Sequence, residues 1–209
     1  GVTTALGERL GVPAHVTVVP ATVSPVRTHV VTEQGSMAFQ EYFVAQRCAP
    51  VLRSVVYEGI DSASPADRLR AALDDVGAAA TDVVLGPSNP FLSIAPILDI
   101  PDMQGLLRHA ARRVVAVSPI IGGQALKGPA GKIMSELGLE VSATGWTHWM
   151  NEHYPGLVDV WVWDETDQQV ADDLRAEGMD IRTTSTVMSD PERAAAFGDW
   201  LLRVCESDH

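Results

Sequence analysis

Three short runs, Asp82-Val83-Val84-Leu85-Gly86, Val114-Val115-Ala116-Val117-Ser118 and Val158-Asp159-Val160-Trp161-Val162-Trp163, place apolar side chains on consecutive or nearly consecutive positions. A strand with one wet face alternates apolar and polar residues. A strand that is apolar throughout needs cover on both faces, which the strands of a parallel sheet obtain from crossover helices. Helical sequence fills the intervals. Ser64-Pro65-Ala66-Asp67 offers a cap, a proline for the first helical position and an acid for the positive end of the dipole, and the helix continues from Arg68 to Val76. Pro101 opens a helix to about Arg113, and Gly131 to Leu137 forms one closed by Gly138. Further helices are predicted over 142–153, over 167–177 before Gly178, and from Asp190-Pro191 to about Cys205, with a last strand over 180–187. This alternation predicts a single α/β domain over residues 1–209, a three-layer sandwich with a mostly parallel sheet.

The first part of the chain follows another pattern. Residues 2–11 read as an amphipathic helix, and His15-Val16-Thr17-Val18-Val19 as a β-type run. Two β-rich arms, 27–33 and 37–44, flank Gln34-Gly35 and predict an antiparallel hairpin at residues 27–44, an edge or an insertion to the main sheet. A further strand is predicted from Val51 to Tyr57. The sequence starts at Gly1, with no strand before the first helix, which points to a chain cut from something longer.

Charge narrows the partners. Lys and Arg number 15 against 27 Asp and Glu, a formal charge of −12. Nucleic-acid binding draws on Lys and Arg to neutralise phosphates, so DNA and RNA are discounted. A small phosphorylated ligand needs only a few cations and backbone N–H groups in one cleft. No run of about 18 apolar residues and no secretory leader is visible. Cys48 and Cys205 lack metal-ligand spacing and read as reduced thiols, so a cytoplasmic location is expected.

Ligands of open α/β sheets gather where strand ends lead into helix N-termini. Two loops at such ends stand out. Gly86-Pro87-Ser88-Asn89-Pro90 fixes its backbone with two prolines and aims two short polar side chains, with Ser93 near the next helix. The second runs from Ser118-Pro119 through Gly122-Gly123 to Lys127-Gly128 and Lys132. Its glycines would let a ligand approach the backbone, and its lysines supply positive charge. Together the loops predict an anion cradle, although Gly/Pro-rich connectors are common after strands. Other chemistry finds less support. No G-x-x-x-x-G-K-[ST] or G-x-G-x-x-G motif occurs, which removes the basis for a nicotinamide-dependent oxidoreductase. His148 and His153 are five apart and read as ordinary helix residues, not a metal pair. Trp161 and Trp163 share a strand face and read as packing. No Ser/His/Asp set can be assembled.

The same two loops, with Ser93-Ile94 and Leu126-Lys127-Gly128-Pro129-Ala130, resemble the 2-phospho-L-lactate transferase family of coenzyme F420 biosynthesis, as do the hairpin residues Arg27-Thr28 and Phe39–Val44 and the Asp159–Trp161 strand. The resemblance covers essentially the whole chain. It implies a Rossmann-like fold and the transfer of a phospholactyl or phosphoenolpyruvyl group from a guanylyl carrier to a hydroxyl of the deazaflavin Fo, releasing GMP. It also implies magnesium, guanine-nucleotide binding and a homodimer. Under it Ser88, Asn89 and Ser93 bind phosphate oxygens, Ser118, Gly122, Gly123 and Gly128 line the adjoining wall, and Lys127 and Asn89 act in catalysis, Lys127 neutralising developing charge. Family members open with a Gly-rich strand–loop–helix and acidic metal ligands; this chain has neither, so no residue here takes the metal-ligand role. The alternative is the branch of the same superfamily that binds UDP-sugars as a non-enzymatic regulator; Ser88-Asn89-Pro90 and Leu126–Ala130 favour the transferases.

Overall fold

The computed structural model describes residues 2–13, 15–125 and 128–206. In chain order its elements are α1 Val2–Arg9, β1 Arg27–Thr32, β2 Gly35–Ala38, β3 Leu52–Glu58, α2 Asp67–Val76, β4 Thr81–Leu85, α3 Ala95–Leu98, α4 Met103–Ala110 and β5 Ala111–Val117. They continue with β6 Ile120–Ile121, β7 Gln124–Ala125, α5 Ala130–Glu136, α6 Ala143–His153, β8 Val160–Asp164, α7 Gln168–Ala176, β9 Ile181–Thr184 and α8 Pro191–Glu206.

The apolar runs form a four-stranded parallel sheet in the order β4-β5-β8-β9. Val84 pairs with Val115, and Val115 with Val160, so the valines stack across the sheet. Successive side chains point to opposite faces. Ala116, Trp161 and Trp163 join the larger core with Leu98 of α3, Ile133 and Met134 of α5, Trp146 and Met150 of α6 and Leu174 of α7. Val115, Val117, Val160 and Val162 face the other way, onto Phe197, Val204 and Cys205 of α8. Helices on both faces make the three-layer α/β sandwich that the all-apolar strands demand. The tryptophan stripe is packing: Trp146 meets Trp161 edge-on at 5.3 Å, and Trp163 Nε1 donates to Thr147 Oγ1 at 3.1 Å. His153 stacks on Trp149 within α6, an arrangement of helix neighbours.

The hairpin is neither an edge of that sheet nor a lone insertion. β1 pairs antiparallel with β2 and with β3, giving a separate three-stranded sheet in the order β2-β1-β3. The second arm leaves the ladder at Ala38 and closes as a wide helical turn over Glu41–Ala45. Val30, Tyr42 and Leu52 carry this sheet into the larger core. A polar clasp fastens it: Lys132 Nζ donates to Tyr42 Oη and Pro50 O, both at 3.1 Å, and pairs with Glu136, whose other oxygen accepts from Leu52 N at 2.9 Å.

Other boundaries also differ from the sequence expectation. Residues 15–19 form no strand; Val16 and Val18 are exposed, and no neighbouring strand among the described residues supplies hydrogen bonds. The Ser64-Pro65 start shifts to Ala66, whose N–H donates to Ala21 O, and Ser64 does not cap α2. The helix opened near Pro101 stops at Ala110, because Ala111 and Arg113 pair with Thr81 and Asp82 in the sheet. The last strand ends at Thr184, not Val187, and the residues beyond it enter the site.

Candidate active site

At the carboxyl edge of the parallel sheet, three loops enclose a cleft of about 500 Å³. Pro87 and Asn89 come from the loop after β4, Ser118, Pro119 and Ile121 from the segment after β5, and Thr186, Val187, Met188 and Ser189 from the loop after β9; Ala130 of α5 completes the lining. The volume lies within the range of small-molecule sites, about 300–1,000 Å³. Asn89 and Ser118, predicted from separate loops, therefore share one cavity.

Asn89 is set by its neighbours. Preceding Pro90, it is held extended (φ −56°, ψ 120°). Its Oδ1 accepts from Phe91 N at 3.0 Å and Leu92 N at 3.1 Å, capping the wide turn over Pro90–Ile94. Two N–H donors require the oxygen on that side, which fixes the amide orientation. Nδ2 is consequently turned away from the turn. It is buried and has no hydrogen-bond partner among the described residues. A buried donor left in this state costs about 1–3 kcal/mol, a penalty that an acceptor in the cleft would remove.

Ser118 is buried, and its hydroxyl is committed locally, donating to Ile120 O at 2.9 Å and accepting from Ile120 N at 3.1 Å. It shapes the wall by turning the chain into β6. Gly122 and Gly123, with φ of +54° and +74°, are the central residues of the two-residue hairpin joining β6 and β7, where both must adopt positive φ. Gly122 N donates to the Asp167 carboxylate at 3.1 and 3.2 Å. These glycines serve the hairpin and do not line the cleft. Ser88, Ser93 and Gly128 also lie outside the lining: Ser88 N donates to Gly86 O at 2.7 Å, Ser93 N to Asn89 O at 3.0 Å, and Gly128 (φ +70°) precedes α5. Lys127 lies outside the described residues. Lys132, expected near the anion, is the ammonium of the clasp under Tyr42; burial lowers its proton affinity, but the Glu136 and Tyr42 hydrogen bonds raise it further.

The wall contributed by residues 186–189 was hidden in the sequence, because the β-branched residues after Ile181 extend the predicted last strand to Val187. The hydroxyl-rich Thr183-Thr184-Ser185-Thr186 was the available signal. Its anchor is Asp164 at the end of β8. Thr186 N and Oγ1 donate to Asp164 Oδ2 at 2.9 and 3.0 Å, and Thr166 N and Oγ1 donate to Oδ1 at 3.0 and 2.6 Å. Burial would raise the pKa of this carboxyl, but the four donors outweigh it and hold it below the ordinary carboxylate range. The loops after β8 and β9 are thus pinned to one buried charge.

Magnesium, implied by the resemblance, does not fit the donor set of this cleft. No carboxylate lines it, both Asp164 oxygens are occupied by donors, and no group of three His, Cys, Asp or Glu suited to a metal occurs among the described residues. Nor is any helix of the described residues long and apolar enough to cross a membrane.

Known proteins are similar to this chain in sequence, and a solved structure is similar in fold. The chain is 36% identical over 202 residues to a 2-phospho-L-lactate transferase of Methanosarcina acetivorans, a match covering 96% of this chain and 61% of that protein. It is 41% identical over 187 residues to a phosphoenolpyruvate transferase of Thermobifida fusca, covering 87% of this chain and 54% of that protein. A solved structure, a protein member of the UPF0052 family from Bacillus halodurans, is similar in fold with a TM-score of 0.56 at 16% identity, over 90% of this chain and 60% of that one. The chain spans about 61% of the length of the first of these relatives. The family described as 2-phospho-L-lactate transferase CofD matches residues 1–198, nearly the whole of the sequence, and it is to this family that the chain belongs.

Proposed function

We propose that this chain forms the phosphate-holding part of a coenzyme F420 biosynthesis transferase that moves a phospholactyl or phosphoenolpyruvyl group from a guanylyl carrier to a hydroxyl of Fo. The hydroxyl oxygen attacks the phosphorus bearing the three-carbon acid. The bond from that phosphorus to the oxygen bridging it to the guanylyl phosphate breaks, GMP leaves with that oxygen, and the hydroxyl proton passes to solvent. No protein nucleophile is required; the barrier falls through positioning and charge stabilisation.

The observation that carries the reading is a cleft shared by three strand-end loops and lined by Asn89, whose buried Nδ2 has no hydrogen-bond partner among the described residues. This Nδ2 donates to a phosphoryl oxygen, a hydrogen bond to a charged group worth about 1.5–3 kcal/mol. Val187 and Met188 give the opposite wall an apolar surface suited to a planar ring. Lys127, which the resemblance places beside the transferring group, supplies the compensating charge. Relatives named as transferases of two different three-carbon groups favour this reading over a UDP-sugar regulator.

Calorimetry with GDP and with UDP-glucose tests it. Preferential binding of GDP, lost in the Lys127→Ala variant, is expected. Tighter binding of the uridine ligand would overturn the guanylyl assignment in favour of the regulator.

A further inference from the structure

Behind the wall formed by residues 186–189 lies a second groove, of about 190 Å³, between the end of β9 and one face of α8. Thr184 and Ser185 form one side; Arg193, Phe197, Trp200 and Arg203 form the other. The α8 residues recur at intervals of three and four, so that they fall on one helical stripe with an arginine toward each end and an aromatic pair between. The Phe197 and Trp200 rings are nearly parallel (16°), with centroids 6.3 Å apart. Phe197 is buried against the valine face of the sheet and props Trp200 at the groove.

The charges here run against the rest of the molecule. In a chain of formal charge −12, both ionisable groups lining this groove are arginines. Arg203 makes no ion pair among the described residues. Arg193 reaches Asp190 at a loose 3.6 Å, and that carboxylate already accepts from Ser189 Oγ and Arg193 N. Arginine recognises oxyanions through its planar fork and stacks on aromatic rings. The hydroxyl side chains opposite add donors. The volume is below the roughly 300 Å³ at which ligand pockets usually begin, which limits the occupant to one ring or a compact anion.

We propose that this groove is a second binding site, for a small planar ring bearing a carboxylate or phosphate. The ring lies on Trp200, and the oxyanion is held between Arg193 and Arg203 with the Thr184 and Ser185 hydroxyls. The site is separate from the cleft, although both share the segment after β9.

The test uses benzoate and phenyl phosphate as ring-bearing anions, inorganic phosphate as the anion alone and benzyl alcohol as the ring alone. Binding is followed at the Trp200 indole N–H resonance, assigned through Trp200→Phe. Both ring-bearing anions should shift this resonance saturably and bind about 10-fold or more tightly than either the bare anion or the neutral ring. Arg203→Gln, an exposed position that leaves folding intact, should weaken them about 10-fold, and Arg193→Gln should do the same. Shifts confined to residues 186–189 and Asn89, or affinities unchanged in both arginine variants, would overturn the proposal. So would binding of benzyl alcohol as tight as that of benzoate. None of these outcomes depends on GDP binding in the cleft, so failure here is distinguishable from failure of the transferase reading.

Discussion

The two ends of the Asn89 amide can be separated: Oδ1 caps the turn, and Nδ2 is the donor proposed to hold phosphate. Asn89→Asp keeps an oxygen for the Phe91 and Leu92 N–H groups but replaces the unpartnered Nδ2 donor with an oxygen that carries negative charge. Its thermal midpoint should stay near that of the parent, because Asp and Asn cap equally well. GDP binding should fall about 10-fold or more, read by calorimetry. Asn89→Ala loses both roles and should also lose about 1 kcal/mol of stability in denaturant titrations. Asp164 offers a pH signature. Its folded pKa is depressed, so its contribution to stability is complete above the ordinary unfolded carboxylate pKa of about 4 and is lost as pH falls through the folded value. Asp164→Asn should therefore be less stable than the parent by about 1–3 kcal/mol at pH 7, and the gap should close as pH is lowered below about 4. A gap that persists in acid would show that the carboxylate charge is not what holds Thr166 and Thr186.

At the scale of elements, sequence pattern reported what depends on burial and missed what depends on partners. The parallel strands were legible because a wholly apolar run has few alternatives, and α6 because Ser142 caps it through Gly145 N at 2.9 Å. Residues 15–19 have the same β-type composition yet remain unpaired, since a ladder requires a neighbour that composition cannot supply. Gly122-Gly123 was read as room for a ligand, whereas positive φ at both positions is the requirement of a tight hairpin. Lys132 was read as a free cation, since its partners Tyr42 and Glu136 lie 90 residues before it and 4 after it. The Asn89–Ser118 pairing was legible because successive parallel strands must deliver their end loops to one edge. One glycine is decided by space. A Cβ on Gly145 would sit 2.2 Å from Glu140 O, a backbone atom that cannot rotate away. Gly145→Ala should destabilise the chain by about 1–3 kcal/mol, measured by thermal or urea unfolding.

For the whole molecule, the two edges of the parallel sheet are unequally guarded. β9 is four residues long and carries Arg182. β4 ends in Val83-Val84-Leu85, with Val84 41% exposed, and beside it runs an apolar groove of about 290 Å³ that Val19, Leu69 and Ile97 help to line. No strand covers its outer edge among the described residues. Such an edge invites pairing between copies. Concentration-dependent self-association is expected by sedimentation equilibrium, and Val84→Lys should weaken it; an unaltered mass distribution would assign any homodimer to another surface. The opposite face of the sheet raises a question of timing. Among the described residues, the cluster on that face joins its valines to residues of α8, from the final stretch of the described chain. During synthesis on the ribosome, every strand of that sheet emerges before the helix that shields it. The nascent chain therefore carries an unshielded valine face until residue 206 has cleared the exit tunnel, and this interval is when it most needs a chaperone.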